Sequence, residues 1–174
     1  MTAALWFVLA ACFVAGFTDI RRQRIPNWLT LSLAVGGVGL NALAGWRPFF
    51  LSLAVMTIIL LAGTLVFSAR VIGGGDIKLM AAASAALNYP DCVPFLLYTI
   101  ICGGVLAIFT SAVRGQLRAT LTNVAFMVLP LLHRTLRPTT PAKVTVMPYA
   151  VAIGLGALTL ALSKTIAPHL RIPL

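Results

Sequence analysis

Long apolar runs separated by short polar segments dominate the chain. Six runs can be drawn, at roughly residues 2–18, 29–45, 49–69, 72–88, 92–113 and 146–163. Most of them approach the roughly 20 residues that a helix needs to cross a bilayer. The runs are continuous and do not alternate between apolar and polar positions, which argues against a transmembrane barrel. The pattern therefore predicts an all-α, polytopic membrane helix bundle with about six transmembrane helices, forming a single domain over residues 1–174 without a soluble domain.

Composition supports the membrane assignment and refines individual runs. Of the 174 residues, 60% are hydrophobic and only 9% are charged, whereas a soluble domain carries about 25% charged residues. The fourth run is rich in alanine and glycine, and small residues let helices approach closely, so this run is expected inside the bundle. The stretch from Gly115 to Leu132 contains Arg118, Asn123 and Pro130. It is interpreted as an interfacial amphipathic segment, with a seventh span as the alternative.

The net charge of +10, from 13 basic and three acidic residues, has a topological interpretation. Ten of the 13 basic residues fall between runs one and two, at or near the junction of runs three and four, or between runs five and six. These are Arg21, Arg22, Arg24, Arg70, Lys78, Arg114, Arg118, Arg134, Arg137 and Lys143. Basic loops stay in the cytoplasm, so both termini are expected on the opposite side. No basic patch interleaved with aromatic residues indicates a nucleic-acid partner.

The chain has three carboxylate side chains, Asp19, Asp76 and Asp91, and no glutamate. Asp91 follows Asn88-Tyr89-Pro90, so it is predicted to be a solvated turn residue or a helix N-cap on the outer side. Asp19 directly follows the first run, and Asp76 lies where the third run gives way to the fourth. Because two spans separate them, the chain leaves one membrane face and returns to it. Both carboxylates are therefore expected at the same depth on the cytoplasmic side.

Two neighbouring carboxylates form a recognisable catalytic pair. Like charges at short range tend to share one proton, so the ionised member can accept a proton from water while the protonated member donates to a carbonyl oxygen. The alternative is that Asp19 and Asp76 each pair with a nearby Arg or Lys. No H-E-x-x-H or C-x-x-C sequence predicts a metal site, and no cofactor is expected. His133 and His169 lie far apart in sequence and beside basic residues, which favours surface or interfacial roles.

Short motifs surround the two aspartates. Three glycines, from Gly73 to Gly75, precede Asp76. They weaken a helix and allow another chain to approach the backbone closely. Asp19 is followed by Ile25-Pro26-Asn27, where proline and asparagine are typical of the start of the next helix.

Together these motifs resemble the prepilin peptidase family of membrane aspartic proteases. The likeness consists of Asp19 with Ile25-Pro26-Asn27, the G-x-G-D sequence ending at Asp76, and the following Lys78-Leu79. Met147-Pro148-Tyr149-Ala150 is a weaker match at the last span.

The resemblance implies a function and a site. Asp19 and Asp76 would be catalytic, with Gly73, Gly75, Lys78, Pro26 and Asn27 binding substrate or shaping the site. The substrate would be a type IV pilin-like precursor in the bacterial inner membrane, whose basic leader is cut after a glycine at the cytoplasmic face. Only Thr18 to Trp28 separate the first two spans, so the cysteine-rich insert of larger, methylating members is missing. We therefore predict a peptidase without methyltransferase activity, similar to the short form of tight-adherence (Flp-type) pili.

Other functions remain open at the level of sequence. A proton- or cation-coupled transporter also uses intramembrane carboxylates and glycine-broken helices, although the chain is small and shows no inverted repeat. A non-catalytic membrane assembly subunit would retain its function when either aspartate is replaced. The archaeal preflagellin peptidases share the same aspartate chemistry. Presenilin-like proteases have tyrosine before their first aspartate, whereas Thr18 precedes Asp19 here.

Overall fold

The computed structural model describes residues 3–22, 24–68, 73–115 and 149–166. Within these ranges the chain forms six α-helices and no strand. They are α1 (Ala3–Arg22), α2 (Asn27–Ala44), α3 (Trp46–Ser68), α4 (Gly74–Leu87), α5 (Cys92–Val113) and α6 (Tyr149–Ile166). The predicted all-helical bundle is therefore confirmed. The choice between an interfacial segment and a seventh span concerns residues 116–132, which lie outside the described ranges, as do His133 and His169.

Five of the six described helices are long and apolar enough to cross a membrane: α1, α2, α3, α5 and α6. The exception is α4, which has 14 residues. A helix of that length extends about 21 Å, whereas the hydrocarbon core of a bilayer is about 30 Å thick. The chain is thus a multi-pass membrane protein whose fourth apolar run forms a short helix inside the bundle.

The described residues divide into two compact units, and the division falls inside α5. The first unit holds α1 to α4, the beginning of α5 as far as Gly103, and α6. The second unit contributes residues 104–115 to the described part of the chain. The prediction of one domain over residues 1–174 stays a prediction.

Helix α4 lies at the centre of the first unit and packs against α1, α2, α3 and α6. Nearly all of its side chains beyond the first turn are buried, and five of the nine buried ones are alanines. Alanine side chains let neighbouring helices approach closely, as predicted for this run. The consequence is that the first turn of α4, which carries Asp76, is held at a defined position among the surrounding helices.

Two glycines on neighbouring helices make this close packing possible. A Cβ atom added at Gly37 of α2 would lie 2.4 Å from the Cβ atom of Ala86 and 2.7 Å from its Cα atom. A Cβ atom added at Gly63 of α3 would lie 2.3 Å from Cγ2 of Ile77. A side chain at Gly37 would have to push the backbone of α4 away, and one at Gly63 would have to displace the Ile77 side chain.

Gly37→Ala is expected to destabilise the bundle, because the new methyl group meets the backbone of α4. Overpacking of this kind costs about 1–3 kcal/mol, which exceeds the gain of up to about 1 kcal/mol from removing a helical glycine. Gly39→Ala is the matched control, since a Cβ atom there meets nothing within 4 Å. Thermal unfolding in detergent should give a lower midpoint for Gly37→Ala and an unchanged or higher midpoint for Gly39→Ala. Equal midpoints for the two variants would contradict this packing.

A polar network fixes the end of α4 that is farther from Asp76. The Asn88 side-chain amide donates to Oδ1 of Asn41 at 3.0 Å and to the Pro48 carbonyl at 2.9 Å. The Ala85 carbonyl accepts from the Ser52 hydroxyl at 2.8 Å and from the Asn41 amide at 3.1 Å. Carbonyl groups in the last turn of a helix have no intrahelical partner. These contacts supply hydrogen-bond donors to the last turn of α4 and connect it to α2 and α3.

Asp91 lies in the turn before α5, where the sequence predicted it. Its carboxylate forms an ion pair with Lys164 near the end of α6, and its side chain is 27% exposed. The residue is therefore paired and only partly solvated. Asp91 follows the C-terminal end of α4, whereas Asp76 lies at the N-terminal end of that helix.

Candidate active site

Three helix ends converge around the two remaining aspartates. Asp19 lies in the last turn of α1, because that helix continues past the apolar run as far as Arg22. Asp76 lies in the first turn of α4, and Ala150 lies in the first turn of α6. The structure thus brings together the ends of three helices that are distant in sequence.

Asp19 is held by the beginning of α6. The backbone N–H of Ala150 donates a hydrogen bond to Oδ2 of Asp19 at 3.3 Å, and Asp19 is only 8% exposed. The first N–H groups of a helix have no intrahelical acceptor and carry partial positive charge. They therefore stabilise a carboxylate that lies against them. This compensates for the position of Asp19 at the C-terminal end of α1, where the partial negative charge of the helix disfavours a carboxylate.

Asp76 is held by the glycine that precedes its helix. Gly73 is the N-cap of α4, in an extended conformation with φ −69° and ψ 144°. The Gly73 N–H donates to the Asp76 carboxylate, in the way that the third helical residue returns to the N-cap in a capping box. A Cβ atom at Gly73 would lie 2.9 Å from Oδ2 of Asp76. Glycine at this position therefore leaves the room that the carboxylate occupies.

The two carboxylates share one electrostatic environment. Asp76 is outside the five candidate spans. Burial, and after it the nearby charge of Asp19, raise the pKa of Asp76 to about 6, partly offset by the Gly73 hydrogen bond. Like charges at close range favour the protonated form of one partner. The structure therefore places Asp19 within electrostatic reach of Asp76, and their location on the cytoplasmic side stays a prediction.

Pairing of these aspartates with neighbouring basic residues was the alternative. Among the described side chains the ion pair is that of Asp91 with Lys164. The Arg21 guanidinium instead lies over the Phe17 ring, 4.5 Å from its centroid. Lys78 donates to the Asn27 side chain at 3.4 Å. Among the side chains that the structure describes, which do not include that of Arg22, no basic group therefore neutralises Asp19 or Asp76.

Tyr149 is a residue that sequence reasoning placed only at the start of a helix. Its ring packs on Gly103 of α5, where an added Cβ atom would lie 3.0 Å from Cε2 and 3.1 Å from the hydroxyl oxygen. The Asp76 carboxylate is within electrostatic reach of the Tyr149 hydroxyl. The only signal in the sequence was the proline-aromatic start of the last run, which does not specify a contact.

The remaining predicted site residues link the α1–α2 loop to α4. The Pro26 carbonyl accepts the backbone N–H groups of Leu29 and Thr30, at 3.1 and 3.4 Å, and so begins α2. A Cβ atom added at Gly75 would lie 3.4 Å from that of Ile25, so loop and helix are in contact there. Asn27 and Lys78 meet through their side chains beside this loop.

Comparison with known proteins gives one family match. The model of the type IV leader peptidase family (Peptidase_A24) matches residues 6–108, which is more than half of the chain. The matched segment includes Asp19, Pro26, Asn27, Asp76 and Lys78. No curated protein and no solved structure matches the chain significantly.

Proposed function

Because the chain belongs to the type IV leader peptidase family, we propose that it is an aspartic endopeptidase in which Asp19 and Asp76 together activate water. The observation that carries this proposal is the electrostatic interaction of two largely buried carboxylates, neither of which has a basic partner among the described side chains. Such a pair can hydrolyse a peptide bond without a metal ion or a covalent intermediate.

The surroundings of the two aspartates support different roles. Asp19 accepts a backbone N–H from the positive end of α6, so it is the ionised member that takes a proton from water. Asp76, which lies in the field of Asp19, is the protonated member and donates to the carbonyl oxygen of the scissile bond. The resulting tetrahedral intermediate then collapses as Asp19 passes its proton to the leaving amine. One hydroxyl group of the intermediate returns a proton to Asp76 as the new carboxyl group forms.

The residues around the pair would shape the site. Gly73 and Gly75 leave the backbone at the entrance to α4 accessible, which suits an extended substrate strand. Pro26 and Asn27 set the start of α2 beside that entrance, and Lys78 contacts Asn27. We propose these five residues as the substrate-binding or site-shaping set.

The proposed substrate is the precursor of a type IV pilin-like protein of the Flp type. Cleavage would remove the basic leader on the carboxyl side of a glycine, at the cytoplasmic face of the bacterial inner membrane. Since only a short segment separates α1 and α2, methylation of the new amino terminus is not expected. The apolar segment that follows the leader would remain in the bilayer during cleavage.

The test is cleavage of a panel of pilin-like precursors by the wild-type protein in membranes. Mass spectrometry of the products should show cleavage after a glycine and no added methyl group. Failure to cut any precursor would contradict the peptidase proposal. Proton flux through liposomes containing the protein, without cleavage, would favour the transporter alternative. A methylated product would contradict the predicted lack of methyltransferase activity.

The pH dependence of cleavage follows from the state of Asp76. Its pKa is raised from 3.8 to about 6, so the proton it must donate is present below that pH and is lost as the pH rises through it. We expect kcat/KM to fall on the alkaline side with a midpoint at about pH 6 or above, because this ratio reports the free enzyme. An alkaline midpoint near pH 4 would contradict a protonated Asp76. As controls, the pH profile is measured with a soluble reporter peptide and at a fixed lipid composition.

A further inference from the structure

A groove of about 310 Å³ opens between α2, α3 and α4, apart from the two aspartates. It is lined by Asn27, Thr30, Leu31, Ala34, Met56, Leu60, Lys78, Ala81 and Ala82. With about 3.6 residues per turn, Lys78, Ala81 and Ala82 lie on the face of α4 opposite to Asp76. The groove is therefore separate from the proposed catalytic pair.

The body of the groove is apolar and borders the membrane. Its floor is made by Ala81 and Ala82, which are 1% and 2% exposed and whose small side chains leave space between α2 and α3. Leu31 on the α2 wall is 65% exposed. In the spanning part of α3, which supplies Met56 and Leu60, only 6% of the residues are buried inside the structure. In a membrane protein, surfaces of this kind are in contact with acyl chains.

One end of the groove carries a positive charge. Lys78 Nζ donates to Oδ1 of Asn27 at 3.4 Å, which satisfies one of its three donors and leaves its charge uncompensated. The hydroxyl of Thr30 is already bonded to the Asn27 carbonyl at 3.0 Å. Asp91 is the one described carboxylate that is ion-paired, and its partner is Lys164. The groove thus combines an apolar slot with an unneutralised ammonium group and the side-chain amide of Asn27.

We propose that this groove binds an anionic phospholipid. One acyl chain lies between α2 and α3 on the alanine floor, and the phosphate accepts hydrogen bonds from Lys78 Nζ and from the Asn27 amide. Basic pockets between membrane helices bind anionic head groups in this manner. Lys78 and Asn27 would then shape the peptidase site from the far side of α4, and a basic leader would not occupy the groove itself, because it carries the same charge as Lys78.

This proposal has a consequence for the neighbouring site. Lys78 follows Asp76 by two residues, so a phosphate on Lys78 removes a positive charge close to where a basic leader would approach. Anionic lipid would then reduce the repulsion between the basic loops and the leader. Lipid binding itself does not depend on peptidase activity, so it can be tested without a substrate.

The probe is phosphatidylglycerol with a photoactivatable group in one acyl chain, compared with the same modification in phosphatidylcholine. The full-length protein is placed in phosphatidylcholine nanodiscs with a small fraction of either probe, irradiated, digested and analysed by mass spectrometry. We expect the phosphatidylglycerol probe to label peptides containing Leu31, Ala34, Met56 or Leu60 more strongly than the neutral probe does.

Lys78→Gln is the test variant, because glutamine removes the charge and retains a donor for Asn27. It is expected to lower phosphatidylglycerol labelling of the groove by about fivefold, the equivalent of about 1 kcal/mol for one basic side chain. Labelling by the neutral probe should not change. Arg24→Gln is the matched control, since it removes one exposed basic residue outside the groove and should leave groove labelling as in wild type.

Ala34→Leu provides a second variant that keeps Lys78 in place. The larger side chain should fill part of the slot and reduce labelling of the groove by the phosphatidylglycerol probe. Equal labelling by both probes in wild type, or no response to Lys78→Gln, would overturn the proposal. Loss of labelling upon addition of an apolar precursor segment, independent of head-group charge, would also overturn it and identify the groove as a peptide site.

Discussion

Replacing either Asp19 or Asp76 with asparagine is expected to abolish leader cleavage. Asparagine preserves the size of the side chain but neither accepts nor donates the catalytic proton. Loss of one acid–base partner alone lowers a rate by about 10²–10⁴-fold. The double variant should be no worse than either single variant, because the two groups act as a unit. The measurement is the ratio of mature to precursor protein in membranes at equal enzyme levels.

Asp91→Asn is the matched control for these two substitutions. It makes the same chemical change, but its site is the ion pair with Lys164 at the other end of α4. Cleavage by this variant should remain close to wild type. If cleavage survives in either Asp19→Asn or Asp76→Asn, the proposed pair is wrong. The assembly-subunit alternative would then regain support, since it predicts function without the aspartates.

Gly73→Ala is expected to reduce cleavage by about 10²-fold, the effect of displacing a catalytic group by about 1 Å. The added Cβ atom would lie 2.9 Å from Oδ2 of Asp76, which is closer than such atoms can approach. The Asp76 carboxylate would have to rotate away from its hydrogen bond with the Gly73 N–H and from Asp19. Cleavage rates of the variant and wild type, measured with the same precursor, provide the comparison.

Gly74→Ala separates this local effect from a general loss of glycine. A Cβ atom at Gly74 would meet Phe67 at 3.6 Å, an ordinary van der Waals contact. Its cleavage rate should therefore stay near that of wild type, and both variants should unfold at similar temperatures. Equal losses of activity in the two variants would show that backbone flexibility of the segment, and not room for the Asp76 carboxylate, is what the glycines provide.

The order of apolar and polar segments was enough to predict much of this site. A helix that enters the bilayer has to cross it, so two spans between Asp19 and Asp76 return the chain to the same face. This argument needs no knowledge of packing. The same reasoning identified Asp91 as different, because it falls at the other end of the fourth run.

The length of α4 and the end of α1 could not be predicted in this way. The fourth apolar run was expected to span, yet only Gly74–Leu87 forms a helix. A run of alanine and glycine is apolar whether it crosses the bilayer or lies within a shell of other helices. The helix α1 continues to Arg22, because a charged residue at a membrane edge does not end a helix.

The sequence by itself determined the class of protein, the apolar runs that form the described helices and the candidate pair of carboxylates, because each depends on the order of polar and apolar side chains along the chain. Only the tertiary structure decided that Ala150 donates its N–H to Asp19, that Gly37 meets Ala86, and that Lys78 lies away from Asp76 at the end of a groove. Every residue except proline has the same backbone N–H group, so the sequence does not indicate which of these groups donates a hydrogen bond to a side chain. Close contacts between helices depend on how each helix is rotated about its axis, and that is settled by the packing of all of them together.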